Sequence, residues 1–181
     1  SSLSIGSKST QRNQILDNIV GIYIDGSSSH HMRGNLIRDN AVAGVILRNA
    51  TAVAVGGTAN AANLLLRNGS GDSSQGGMLI TGGGQHRIEG NYIGNLGGGQ
   101  IIDGNQGVGI YILDSQDNVI GAPHLAGGNI ISGNSSHGVR IAGVGASNNK
   151  LWNNFIGADR LDRNAANGGD GILIENGANG N

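Results

Sequence analysis

Asn129-Ile130-Ile131-Ser132-Gly133-Asn134-Ser135-Ser136-His137-Gly138-Val139-Arg140-Ile141 is one turn of a pattern that fills the chain. An Asn stands two residues before Ile131 and another three after it, and a Gly then opens a second apolar alternation, Val139-Arg140-Ile141. The Gly motif recurs at Gly21-Ile22-Tyr23-Ile24, Gly44-Val45-Ile46-Leu47, Gly77-Met78-Leu79-Ile80, Gly109-Ile110-Tyr111-Ile112 and Gly171-Ile172-Leu173-Ile174. The Asn motif recurs at Asn13/Ile15, Asn35/Ile37, Asn63/Leu65, Asn91/Ile93 and Asn154/Ile156, and its trailing Asn is present at Asn18, Asn40, Asn68 and Asn134. A lone apolar residue precedes every Asn motif: Ile5, Met32, Val55, Ile88, Ile120 and Leu151.

Each motif alternates with the two-residue period of a strand that sends every second side chain into a core. With the columns named A (Ile5 onward), B (Ile15 onward) and C (Ile22 onward), the chain reads ABC six times. The step from C to the next A is 8 residues four times and 10 once. The step from A to B runs 10, 5, 10, 5, 11, 5, which marks a deeper repeat of two coils present three times. The step from B to C runs 7, 8, 13, 17, 8, 16, so this corner accepts the insertions.

Three short strands per repeat with no helical segment predict a solenoid in which equivalent strands stack into parallel sheets. We therefore read residues 1–181 as one all-β domain, a right-handed parallel β-helix of six three-strand coils, rising about 29 Å at ~4.8 Å per coil. The column Asn13, Asn35, Asn63, Asn91, Asn129, Asn154 is expected to form a side-chain amide ladder along the axis. The Gly ahead of each C strand suits a corner that needs positive φ or close packing. A left-handed β-helix would require a strict hexapeptide spacing, which is absent.

Composition agrees. With 35 Gly and 23 Asn, helices are disfavoured. Charged residues are 13 % of the chain and the net charge is −1, which excludes nucleic-acid binding as a partner class. No Cys means no disulfide framework or thiolate metal site, and no apolar run is long enough for membrane insertion.

The segments Asn118-Val119-Ile120-Gly121, Gly128 to Asn134, His137 to Ile141 and Asn154-Phe155-Ile156-Gly157 resemble right-handed parallel β-helix repeat proteins of the pectate-lyase-like superfamily. The resemblance covers essentially the whole chain and implies an extracellular or cell-surface location. It does not imply one activity, because the superfamily contains polysaccharide lyases, hydrolases, epimerases, tailspikes and non-catalytic surface proteins.

A glycoside hydrolase needs carboxyl groups paired at short range. The outward residue between the inward ones is never Asp or Glu in any of the three columns, so a non-catalytic structural or adhesive protein ranks ahead of a polysaccharide lyase or glycoside hydrolase. The best enzyme-like cluster is Asp114, Asp117, His137 and Arg140. Asp114-Ser115-Gln116-Asp117 is also the one weak pattern for Ca2+; otherwise no cofactor and no metal is expected. His30 and His86 share a column two coils apart, too far to share a metal.

Tyr23, Tyr92, Tyr111 and Phe155 fall at outward positions, with Trp152 beside inward Leu151. They are expected to mark apolar faces for lateral self-association or for stacking on polysaccharide rings. The chain opens within an A strand and closes after a C strand, which predicts an in-phase segment of a longer solenoid or of a head-to-tail filament, joined through Leu3, Ile5, Ile172 and Ile174.

Overall fold

The computed structural model describes residues 2–7, 11–72, 74–96, 103–161 and 163–181. Its strands follow the three columns coil by coil. They are β1 (Ser4–Ile5), β2 (Asn13–Leu16), β3 (Val20–Asp25); β4 (His31–Met32), β5 (Asn35–Arg38), β6 (Ala43–Arg48); and β7 (Ala54–Gly56), β8 (Leu64–Leu66), β9 (Gly76–Thr81). The next three coils comprise β10 (Arg87–Glu89), β11 (Tyr92–Ile93), β12 (Val108–Leu113); β13 (Val119–Gly121), β14 (Ile130–Ile131), β15 (Val139–Ala142); and β16 (Lys150–Trp152), β17 (Phe155–Ile156), β18 (Ile172–Glu175). Every third strand pairs in parallel, giving three six-stranded sheets.

Register is the one that the motifs predict. In sheet A, Ile5, Met32, Val55, Ile88, Ile120 and Leu151 stand directly above one another. Sheet B stacks Ile15, Ile37, Leu65, Ile93, Ile131 and Ile156. In sheet C both inward rows are continuous, from Ile22 to Ile172 and from Ile24 to Ile174. These side chains form one axial core, with Met32, Ile37, Leu65, Ile80, Ile93 and Ile112 completely buried. The chain is a parallel β-helix.

The alternation of A-to-B steps has a structural cause. Even coils pass from A to B through two residues, as at Arg33-Gly34, whereas the third and fifth coils insert single 3-10 turns at Ala59–Ala61 and Leu125–Gly127. These two turns are the helical exceptions to an otherwise all-β chain among the described residues, and no helix is long and apolar enough to cross a membrane.

The C-strand glycines answer to packing. Gly109 does not have positive φ, but a Cβ there would lie 2.6 Å from the Gly138 carbonyl oxygen and 2.6 Å from Ile131 Cγ2. At Gly171, on the last coil, the same added Cβ would meet only Ile156 Cγ2 at 3.5 Å. Left-handed backbone is instead concentrated in a column at the C-to-A corner, where Ser29, Ala52, Gln85, Asp117 and Asn148 have φ of 60°, 53°, 61°, 56° and 55°. Each of these corners also carries an earlier positive-φ residue, Gly26, Asn49, Gly82, Asp114 or Gly143, so the turn is built on a recurring pair of left-handed positions.

The Asn ladder is present. Asn63 accepts hydrogen bonds at Oδ1 from the Asn35 backbone N–H (3.0 Å) and Nδ2 (2.8 Å), and its own Nδ2 donates to Met32 O (2.9 Å) and Asn91 Oδ1 (2.9 Å). The geometry repeats from Asn13 to Asn154.

Two outcomes test this account. Asn63→Ala leaves several buried groups without partners and should lower stability by about 3 kcal/mol or more, while Asn13→Ala at the exposed end should cost under about 1 kcal/mol; urea denaturation of the two variants measures the contrast. Gly109→Ala should be clearly destabilising and Gly171→Ala close to neutral by the same measurement, because only the first Cβ meets the next coil's backbone.

Candidate functional site

Three columns of short strands, six coils deep, leave few places for chemistry, so the site is built from what the coils do with their polar side chains. Three axial ladders use most of them. The second runs through Asn18, Asn40, Asn68, Asn105, Asn134 and Asn167, each amide oxygen accepting from the coil before. Asn105 and Asn167 complete it in the two coils where the trailing Asn is missing after the B motif. Their insertions fall between the strand and the rung, so the sequence spacing hides them.

The third ladder lies two residues before each inward A residue. Leu3 N–H donates to His30 Nδ1 (3.1 Å), and Val53 N–H donates to His86 Nδ1 (3.1 Å). His86 N–H then donates to Asn118 Oδ1, Asn118 to Asn149 and Asn149 to Asn181. An imidazole therefore takes the place of an amide in the second and fourth coils. With Nδ1 accepting, the proton of each ring sits on Nε2. His30 Nε2 lies 2.6 Å from Ser27 Oγ. In the Asn118 coil the equivalent hydroxyl is Ser115, which accepts from Asn118 Nδ2 (3.0 Å). In the His86 coil this position is Gly83, where a Cβ would strike the Ala50 carbonyl oxygen, so no hydroxyl can stand there and His86 Nε2 is buried without a hydrogen-bond partner. Burial pushes the His86 pKa down to about 4, with a smaller opposing effect from the Ala50 backbone.

The four enzyme-like residues have separate structural partners. Asp114 Oδ1 accepts from Gly145 N–H (3.0 Å) and shapes the corner of the next coil. Asp117, like Asp114, is an αL residue of this corner, and its N–H is bonded to Ser147 O (2.9 Å). His137 Nδ1 accepts from Asp170 N–H (3.0 Å) and lies 3.4 Å from the Asp170 carboxylate. Arg140 bonds Glu175 at 2.7 Å through Nε and 2.6 Å through a terminal nitrogen, and covers the Tyr111 ring at 4.6 Å. No three His, Cys, Asp or Glu side chains converge on a metal position among the described residues, Asp114 and Asp117 included.

Carboxylates do occur at strand ends: Asp25, Glu89 and Glu175 end β3, β10 and β18. Each pairs with an arginine, Arg48 (3.2 Å), Arg87 (2.5 Å) and Arg140, and they stand on the first, fourth and sixth coils. No two share a sheet on neighbouring coils. At the end of sheet B, Arg67 bridges Asp39 (2.7 Å) and Asp103 (2.9 Å), and its hydrogen bonds hold the Asp39 carboxyl below its ordinary value.

The outer apolar faces are more covered than their sequence suggests. Tyr111 is 7 % exposed, packed against Leu79, Leu113, Val108 and Ala142, so its ring does not offer the free stacking surface expected of it. Ile46 and Ile130 are also buried, and Tyr92 and Phe155 are half-buried. Arg160, from the insertion after β17, lies over Phe155 at 5.4 Å while donating to Gly128 O (2.8 Å). Tyr23 (50 %) and Trp152 (38 %) remain exposed, together with the axial residues Leu3, Ile172 and Ile174. All five belong to the first or last coil. At the last, Leu151, Trp152, Ile172 and Ile174 line an open hollow, and at the first Leu3, Ile5, Ile22 and Tyr23 line another. A polar groove follows the C-to-A corner, lined by Thr51, Gln85 and Gln116 in one stretch and by Asp117, Asn148 and Lys150 in the next.

The depressed His86 pKa sets a pH dependence. Between pH ~6.5 and ~4 the unfolded chain takes up a proton that the folded chain refuses, so the stabilisation is complete above pH ~6.5 and falls as pH drops to ~4, by roughly 3 kcal/mol in all. Urea midpoints across that window should show the decline in the native chain, and His86→Asn, which keeps a rung without a titrating ring, should remove most of it.

No curated protein and no solved structure matches the chain. The family model described as periplasmic copper-binding protein (NosD) matches residues 6–158, most of the coils described above, and the chain therefore belongs to the NosD family of the right-handed β-helix superfamily.

Proposed function

We propose that the chain is a non-catalytic scaffold working outside the cytoplasm, extracellular or at a cell surface, in which the solenoid is lengthened by coil-on-coil contact into a filament or long fibre. The family's periplasmic description supports the location outside the cytoplasm. The observation that carries the structural role is the fate of the polar side chains. Asn, His, Asp and Arg that could otherwise bind or react are engaged with the next coil, three ladders deep, and the strand carboxylates are each paired with arginine.

The ladders also have a direction. Each rung donates its N–H and Nδ2–H forward and accepts at Oδ1 from behind, so the first coil presents acceptors on Asn13 and Asn18 and the last presents donors on Asn154 and Asn167. Donors meet acceptors only head to tail; the other two orientations place like groups against each other. In the third ladder Asn181 already accepts from Asn149, so new bonds at such a joint fall on the two Asn columns and on the half-exposed Ile172 and Ile174. The inward-row residues Ile172 and Ile174, buried in the inner coils but about half exposed on the last, support axial contact.

The polar corner groove favours a second reading, in which the scaffold holds a polysaccharide along Thr51, Gln85, Gln116, Asn148 and Lys150, with Trp152 at the end of the same strand as Lys150.

Light scattering and electron microscopy of the 181-residue chain over a concentration series should show end-to-end rods that lengthen with concentration and shorten in Ile174→Asp. A monodisperse monomer at all concentrations contradicts axial assembly. A polysaccharide panel should give no turnover. Turnover abolished by Asp114→Ala or Arg140→Ala would make the protein an enzyme, while binding without turnover, reduced by Gln116→Ala, would establish the second reading.

A further inference from the structure

The family description names copper, and ligand chemistry decides what this chain can do with it. Cu(I) sites are built from thiolates and thioethers and Cu(II) sites from imidazole nitrogens, several at a time around one ion. The chain has no Cys. Its two thioethers, Met32 and Met78, are 0 % and 1 % exposed and belong to inward rows of the axial core, on different sheets and different coils. Turning either sulfur toward an ion would open the core.

The imidazoles are equally committed. His30 uses both ring nitrogens, Nδ1 for Leu3 N–H and Nε2 for Ser27 Oγ. His86 uses Nδ1 for Val53 N–H and is completely buried. His137 uses Nδ1 for Asp170 N–H. The remaining two rings stand far apart along the axis, His31 on β4 of the second coil and exposed His124 at the A-to-B corner of the fifth. A single imidazole does not make a copper centre.

We infer that His30 and His86 are structural rungs equivalent to asparagine, and that this chain is a member of its family that holds no copper centre of its own. The rung position explains both rings in one way: each accepts at Nδ1 the backbone N–H that an Asn Oδ1 accepts in the other coils. It also explains why the residues beneath them, Leu3 and Val53, need no side-chain donor. The ladder is read by its acceptor, and imidazole and amide both supply one.

Two measurements test the inference independently of any activity. In the first, the purified chain is titrated with Cu(II) under electron paramagnetic resonance and with Cu(I) against a chromophoric chelator. Uptake of less than one equivalent at a dissociation constant of ~1 µM is the expected result. One equivalent bound more tightly than that, with nitrogen couplings or with loss on His86→Asn or His137→Ala, overturns it. In the second, urea midpoints at pH 8 are compared for His86→Asn and His86→Ala. The Asn variant should match the native chain and the Ala variant should fall well below it, whereas equal losses in both would overturn the rung assignment.

Discussion

A backbone amide that faces the axis of a solenoid has no water to bond and must find a partner on the neighbouring coil. At the corners between strands, where sheet pairing lapses, this chain supplies that partner with a side-chain oxygen. Asn63, Asn68 and Asn118 each take the backbone N–H of the rung below; Asn63 and Asn68 return hydrogens to the coils on either side, and Asn118 donates to Ser115 in its own corner and to Asn149 on the next coil. Everything else in the fold accommodates that geometry. The C-strand glycines are small because Ile and Asn side chains and the next coil's carbonyl close over them, and the αL residues at the C-to-A corner bring each third-ladder rung back into column.

This use of polar groups also limits function. A reactive site needs side chains whose hydrogen-bonding capacity is left for a ligand, and here Asp114, His137 and Arg140 are taken up by the coil that follows them. Open hollows lie at the first and last of the described coils, and polar stretches follow one corner between them. The family model spans residues 6–158, most of this repeat, and among the described residues no group of three His, Cys, Asp or Glu side chains could hold a metal ion.

Much of the architecture was legible in the sequence because β-helix register is written as alternation. The apolar partners of all three sheets, from Ile5 over Met32 to Ile141 over Ile174, follow from motif alignment alone. What escaped has physical causes. Asn105 and Asn167 rejoin the second ladder only after insertions that carry no periodicity of their own. The third ladder mixes Leu, His, Val and Asn in one column, so no residue type marks it, and only the shared offset from the A strand could have revealed it. The burial of Tyr111 depends on a cation, Arg140, arriving from the coil above, which a single-strand reading treats as an independent surface residue. The acidic ends of β3 and β18, Asp25 and Glu175, lie one residue past the last apolar residue of the motif, where the alternation no longer marks the strand.

The central claim is that side-chain amides on the axis hold the coils together. Native-state hydrogen exchange resolved for side-chain Nδ2–H groups tests it most directly. On this account the Nδ2–H protons of Asn63, Asn91 and Asn129, at 0–1 % residue exposure, exchange only with global unfolding, alongside the strand amides of Ile80 and Ile112. Exchange of those protons at the rate of the exposed Asn179 side chain, with the strand amides still protected, would contradict it and leave the sheets alone to carry the fold.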